Sequence, residues 1–165
     1  IRRVWLEPAH VRAYPPAVQA ILGADLVLVG PGSLYTSILP DLLVPDISEA
    51  LRVSRALKFY VCNVATQPGE TDGFTAYDHL STIEKHVGGG MFDLVLCNNR
   101  MEGTLPAGVE WVLPTEQLQD EFPAYLGDFM DETKPHRHDP VKLAQTIMDL
   151  YNERTGPSTR GENLG

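Results

Sequence analysis

At 165 residues, with 43% hydrophobic and 21% charged side chains, the chain has the make-up of one globular domain, which excludes disorder throughout. Acidic residues outnumber basic ones 22 to 13, and the formal charge of −9 repels phosphodiester backbones, so general nucleic-acid binding is excluded while a local basic pocket for a small anion is not. No apolar run approaches the roughly 20 residues that span a bilayer, so no membrane span is expected.

The chain opens on Ile1 rather than methionine, and the expectation is that an upstream segment has been removed or omitted. Arg3–Leu6 has the pattern of a strand, not of a signal peptide. Pro15 and Pro16 open a helix that runs to about Leu22, where Gly23 stops it. Asp25–Val29 is a short continuous apolar run ending in Gly-Pro-Gly, the signature of a strand buried on two faces. A helix is expected from Leu34 to Leu43, with Pro40 distorting it. Asp46, three residues before Glu49, suits the cap of a helix through Arg55.

Lys58–Val64 is the next strand. After a long polar loop, the Thr75/Asp78 spacing suits a helix from Ala76 to His86, closed by the glycines at 88–90. Phe92–Cys97 reads as a buried strand and Val109–Leu113 as a more exposed one. Asp139-Pro140 starts a last helix, whose apolar residues Leu143, Ile147, Leu150 and Tyr151 share one face. Residues 156–165 have nothing to bury and read as a flexible tail behind a domain over 1–155.

Strands alternating with helices predict an α/β fold: a Rossmann-like three-layer αβα sandwich around a mostly parallel sheet, with right-handed crossovers. Ligands of such sheets sit outside the carboxyl ends of the strands, so the loops there hold the candidate site. The first is Gly30-Pro31-Gly32-Ser33 with Thr36 and Ser37. Its glycines and hydroxyls suit either a cradle for an anion at a helix start or a plain connector with Ser33 as an N-cap. The second runs from Asn63 through Gln67, Glu70 and Asp72 to Thr75, longer than a connector requires. Its carboxylates suit Mg²⁺ or acid–base chemistry, or simple solvation. His79, one turn into the following helix, reads equally as packing or catalytic.

Asn98-Asn99-Arg100 follows the third buried strand and suits either hydrogen bonds to a ligand or a turn. His136 and His138 lack a third ligand at metal spacing, and Asp139 is read as the helix cap. Arg137, at a loop–helix junction, suits a phosphate contact or a surface ion pair. Cys62 and Cys97, inside apolar runs, read as core thiols of a reducing compartment. The phosphate-loop, dinucleotide-fingerprint and nucleophile-elbow motifs are absent.

The strings VWLEP at 4–8, ADLVLVGPGSLYTSILPDLLVPDI at 24–47, YVCNVATQPGETDGFTAYDH at 60–79 and RHDP at 137–140 resemble the gluconeogenesis factors, the YvcK branch of the CofD-like superfamily. The resemblance covers about residues 4 to 150. It implies a cytoplasmic protein about twice as long, whose missing N-terminal half carries a glycine-rich loop and faces this half across a ligand cleft. Its members are linked to gluconeogenic growth and to cell shape and bind UDP-sugars such as UDP-N-acetylglucosamine. The sister branch is 2-phospho-L-lactate transferase, which moves a phospholactyl group from a guanosine diphosphate carrier to a deazaflavin.

The resemblance assigns Gly30, Pro31, Gly32, Ser33, Thr36 and Ser37 to the phosphate, and the loop over 63–73, with Asn63 and Gln67, is expected to clasp the nucleotide diphosphate beside them. Arg137 of the Arg-His-Asp motif is then assigned to the diphosphate or the uracil. Residues 67–73 depart from the Gly-Pro-Ala-Asp-type segment of the transferase branch, which favours binding without turnover. Residues 99–110 are shorter than in typical members, so no sugar contact carries over there. A parallel sheet cut in two exposes a strand edge, so a homo-oligomer or poor solubility is expected of this half alone.

Overall fold

The computed structural model describes residues 1–156. Four strands, β1 (Leu26–Val29), β2 (Leu57–Val61), β3 (Leu94–Asn98) and β4 (Ala124–Gly127), pair in parallel in the order β1-β2-β3-β4. Six α-helices surround them: α1 (Pro15–Gly23), α2 (Leu39–Leu42), α3 (Pro45–Val53), α4 (Ala76–Val87), α5 (Glu116–Glu121) and α6 (Pro140–Thr155).

The period-2 alternation of the strands sorts their side chains cleanly onto two faces. Val27, Val29, Tyr60, Cys62, Val95, Cys97, Ala124 and Leu126 share one core with Leu42, Leu51, Leu80, Ile83 and Leu118 of α2 to α5. Phe59, Val61, Leu94 and Leu96 share the other with Phe129 and with Leu143, Ile147 and Leu150 of α6. Helices on two faces of a parallel sheet make the expected αβα sandwich. The sequential strand order keeps every strand-to-strand connection on the first face, so among the described residues α6 is the one helix that roofs the second. Leu28 on β1 and Tyr125 on β4 therefore remain 44% and 38% exposed. Cys62 and Cys97 are free and buried side by side in the first core.

Local chemistry explains the boundaries. Thr75 and Asp78 form a reciprocal capping box at α4. Asp139 caps α6 by accepting from the Val141 and Lys142 amides, ahead of Pro140 in the first turn.

Several sequence expectations need correction. Arg3–Leu6 is not a strand, because it meets α4 rather than a sheet edge: the Val4 amide donates to His86 Nε2. Val109–Leu113 shrinks to one antiparallel bridge, Trp111 with Ala65, because it pairs with chain that has already left β2. The helix expected over Leu34–Leu43 splits into a wide π-turn (Leu34–Ile38) and α2, and Pro40 sits in the first turn of α2, where its missing N–H leaves no bond unmade. Asp46 lies inside the first turn of α3 rather than at its cap, and its carboxylate accepts from the Ala13 amide. α5 and β4 were not foreseen. The tail expected at 156–165 lies, beyond Gly156, outside the described residues.

Candidate functional site

β1 ends in a turn that only glycine tolerates. Gly30 has φ +88°, and a Cβ there would lie 2.7 Å from the Val61 carbonyl oxygen of β2. The turn therefore packs backbone to backbone against the end of the neighbouring strand. Asn63, just past β2, laces the two ends together by donating from Nδ2 to the Gly32 carbonyl at 3.0 Å.

Ser33 then caps the π-turn, accepting from the Thr36 amide at 3.3 Å and the Thr36 hydroxyl at 2.6 Å. Its own hydroxyl donates to Glu70 Oε2 at 2.5 Å. The Ser37 and Ile38 amides bond to the Ser33 carbonyl. Ser33 is thus the N-cap of the connector reading, and its hydroxyl meets a carboxylate from the next loop.

The loop after β2 is organised by Thr71, which is fully buried and accepts from the Gln67 amide while its own amide bonds the Gln67 carbonyl. This knot turns Glu70 toward Ser33. It turns Asp72 the other way, where the carboxylate accepts from the Gly69 amide at 2.8 Å in an exposed turn. Gln67 Oε1 is buried with no hydrogen-bond partner. An amide oxygen in that state favours a donor brought by a ligand or a rotation of the side chain.

The third contributor is the segment before α6. Met130 and His138 form an antiparallel bridge that sets its path over the end of β2. His138 Nε2 lies 3.1 Å from the Cys62 carbonyl oxygen, and burial pushes the imidazole below its ordinary value of 6.5. Arg137, between two histidines, is exposed.

These three segments, with Val109 from the chain after β3, line an open cavity of about 820 Å³ at the carboxyl ends of β1 and β2. Of the expected site residues, Pro31, Gly32, Ser33, Asn63, Gln67, Glu70 and Arg137 line it. Gly30 shapes the turn from behind. Thr36 and Ser37 are exposed on the far side of the π-turn, with Thr36 contributing only through Ser33, and Asp72 is a turn stitch outside the cavity. Sequence reasoning passed over His136 and His138, which also line the wall. Having weighed them only as metal ligands, it missed them as hydrogen-bonding groups, although their adjacency to Arg137 was a usable signal.

The cavity's ionisable lining is mixed, with the Glu70 carboxyl, the Arg137 guanidinium and the imidazoles of His136 and His138 on its wall. Among the described residues, no three His, Cys, Asp or Glu side chains gather at metal-binding distance. Magnesium can be held by one carboxylate when a ligand phosphate supplies further oxygens, and Glu70 is the carboxylate positioned for that; Asp72 does not join it.

Asn98, Asn99 and Arg100, at the start of the loop after β3, do not line this cavity, although Val109 further along that loop does. Asn98 is buried, donating to the Arg100 carbonyl and accepting from the Phe129 amide at 3.0 Å. Arg100 pairs with Glu102, Asp128 and Glu132. Of the open readings for that loop, the turn is the one realised. His79 is fully buried in the first core, with Nδ1 bonded to the Thr75 carbonyl at 2.9 Å and Nε2 unpartnered.

Residues 1–113 match the family model described as 2-phospho-L-lactate transferase CofD. The gluconeogenesis factor of Bacillus subtilis is 38% identical over 168 aligned positions, covering 93% of this chain and 51% of that protein. The gluconeogenesis factor of Listeria monocytogenes is 44% identical over 161, covering 94% and 50%. The crystal structure of a UPF0052 family member from Bacillus halodurans superposes with a TM-score of 0.83 at 39% identity, covering 89% of this chain and 50% of that one. The chain thus spans about half the length of the relatives it matches. Among the described residues no helix is long and apolar enough to cross a membrane.

Proposed function

Because the chain belongs to the 2-phospho-L-lactate transferase CofD family, we propose that it forms one wall of a nucleoside-diphosphate site and serves as a nucleotide-sugar-binding regulator of the gluconeogenesis-factor type. The observation that carries this reading is the convergence of four separate segments on one cavity at the carboxyl ends of adjacent parallel strands. A diphosphate needs donors and positive potential without steric crowding. The close-packed glycine turn and the Arg137 guanidinium offer these on one side, and the Ser33 hydroxyl joins them once Glu70 releases it. Gln67, Asn63 and His138 offer polar groups for the base or the sugar.

The other wall belongs, on this reading, to the half of the relatives that this chain does not span. The ligand class is a UDP-sugar, with UDP-N-acetylglucosamine the first to try, and the output is control of central carbon metabolism and cell shape without turnover.

A transferase reading stands second, and Glu70 favours it. If Glu70 leaves Ser33 to hold Mg²⁺ against the phosphates, the metal would supply charge neutralisation at a diphosphate leaving group.

Isothermal titration of the full-length protein with UDP-N-acetylglucosamine tests the first reading. Arg137→Ala and Ser33→Ala should each weaken binding about tenfold, roughly 1.4 kcal/mol. Equal affinity in the two variants and the wild type would refute the site. Product formation from a guanosine diphosphate-linked phospholactate and a deazaflavin would instead establish the transferase.

A further inference from the structure

His138 has a fixed tautomer. Its Nε2 faces the Cys62 carbonyl at 3.1 Å, and a carbonyl oxygen only accepts, so Nε2 carries the proton. In the neutral ring Nδ1 is then a lone-pair acceptor. Among the described residues nothing donates to it, while the ring forms part of the cavity wall with Asn63, Gln67 and Arg137. The backbone bridge to Met130 and the capped start of α6 hold the residue's backbone from two sides, and the bond to the Cys62 carbonyl orients the ring.

The charged and titratable groups around it are few. Glu70 comes from the loop after β2, and His136 and Arg137 from its own segment. Asp139 is occupied in capping α6, Lys142 is held by Asp128 and the Met130 carbonyl, and the Cys62 thiol is buried beneath. Among the described residues no carboxylate is hydrogen-bonded to the ring to favour its protonated form.

Building on the nucleoside-diphosphate reading, we propose that His138 is a specificity-determining residue, whose Nδ1 accepts a hydrogen bond from an O–H or N–H of the bound nucleotide-sugar. A ligand without a donor at that point leaves a desolvated acceptor unpaired. Such a defect discriminates between ligands more sharply than a change in apolar fit. Arg137 and His138 thereby divide the labour along one short segment: the first donates to the anionic part, and the second accepts from the uncharged part.

Isosteres separate the two ends of the ring. The amide nitrogen of glutamine reaches about where Nε2 lies, so His138→Gln keeps a donor for the Cys62 carbonyl and removes the inward acceptor. The oxygen of asparagine lies about where Nδ1 does, so His138→Asn keeps the acceptor. The experiment is calorimetry on full-length protein with UDP-N-acetylglucosamine, UDP and inorganic pyrophosphate, at pH 7.5 and pH 5.5.

At pH 7.5, His138→Gln should weaken UDP-N-acetylglucosamine about tenfold and leave pyrophosphate within twofold, with His138→Asn closer to wild type. A parallel loss with UDP would put the donor on the nucleoside, and its absence would put the donor on the sugar. On acidification, wild-type affinity for UDP-N-acetylglucosamine should fall, because a protonated Nδ1 no longer accepts, while His138→Gln stays flat. Wild-type affinity that rises on acidification, or His138→Gln equal to wild type at the two pH values, overturns the assignment and leaves the nucleoside-diphosphate reading standing. Wild-type protein that binds none of the three probes overturns the two together.

Discussion

The Ser33 hydroxyl donates to Glu70 at 2.5 Å across the mouth of the cavity, so the protein's own carboxylate faces the turn at which a ligand anion would dock. Ser33 accepts from Thr36 at the same time, which leaves its hydroxyl proton directed at Glu70. An arriving phosphate must either displace that carboxylate or meet it through a cation.

Replacing Glu70 with glutamine tests this relationship. Removing one negative charge next to the anion should tighten UDP binding in Mg²⁺-free buffer by roughly threefold or more, with the gain shrinking as salt is raised. Titration calorimetry with and without EDTA reads the result. A loss of affinity confined to Mg²⁺-containing buffer would identify Glu70 as a metal ligand.

Gly30→Ala should be severely destabilising. The new methyl group would stand 2.7 Å from the Val61 carbonyl oxygen, on a backbone with φ +88°. Strain and overpacking of this kind cost about 2 to 4 kcal/mol, read as a lower urea midpoint with little change in slope. Gly23→Ala is the control, since nothing lies within 4 Å of a Cβ there.

Arg100→Ala should leave nucleotide affinity unchanged, because this arginine holds Glu102, Asp128 and Glu132 outside the cavity. The variant should lose a little stability in low salt, and the loss should fade in high salt as screening replaces the missing pairs. Thermal unfolding at two ionic strengths is the measurement.

Burial holds the His79 imidazole below its ordinary value of 6.5. The unfolded chain therefore takes up a proton that the folded one resists. Stability is full above about pH 6.5 and is lost as pH falls through the lowered folded value. His138 adds to the same trend. His79→Leu should unfold with a shallower pH dependence between pH 7.5 and 5, because the buried Nε2 that has no partner is gone and the Thr75 carbonyl still accepts from the residue-79 amide.

The sheet's centre was legible because a strand buried on two faces has to be apolar throughout, as Phe59–Val61 and Leu94–Cys97 are. Caps at Thr75 and Asp139 were legible because they are local. β4 was not: Ala-Tyr-Leu-Gly is four residues long, half-exposed and ends in glycine, and only its pairing with β3 makes it a strand. The same limit applies to the site. Glycine, serine and the polar loop announced a ligand edge, but the opposite orientations of Glu70 and Asp72 depend on the buried Thr71 knot, which no local pattern reveals. The fixed tautomer of His138 depends on a carbonyl 76 residues away.

α6 closes the back of the sheet over Phe59 and Leu96, and its cap residue adjoins the two side chains that reach into the cavity. The back of the sheet and the wall of the cavity are therefore built by one continuous stretch of chain, joined at Asp139, so the packing that seats α6 on Phe59 and Leu96 also fixes where Arg137 and His138 leave the backbone.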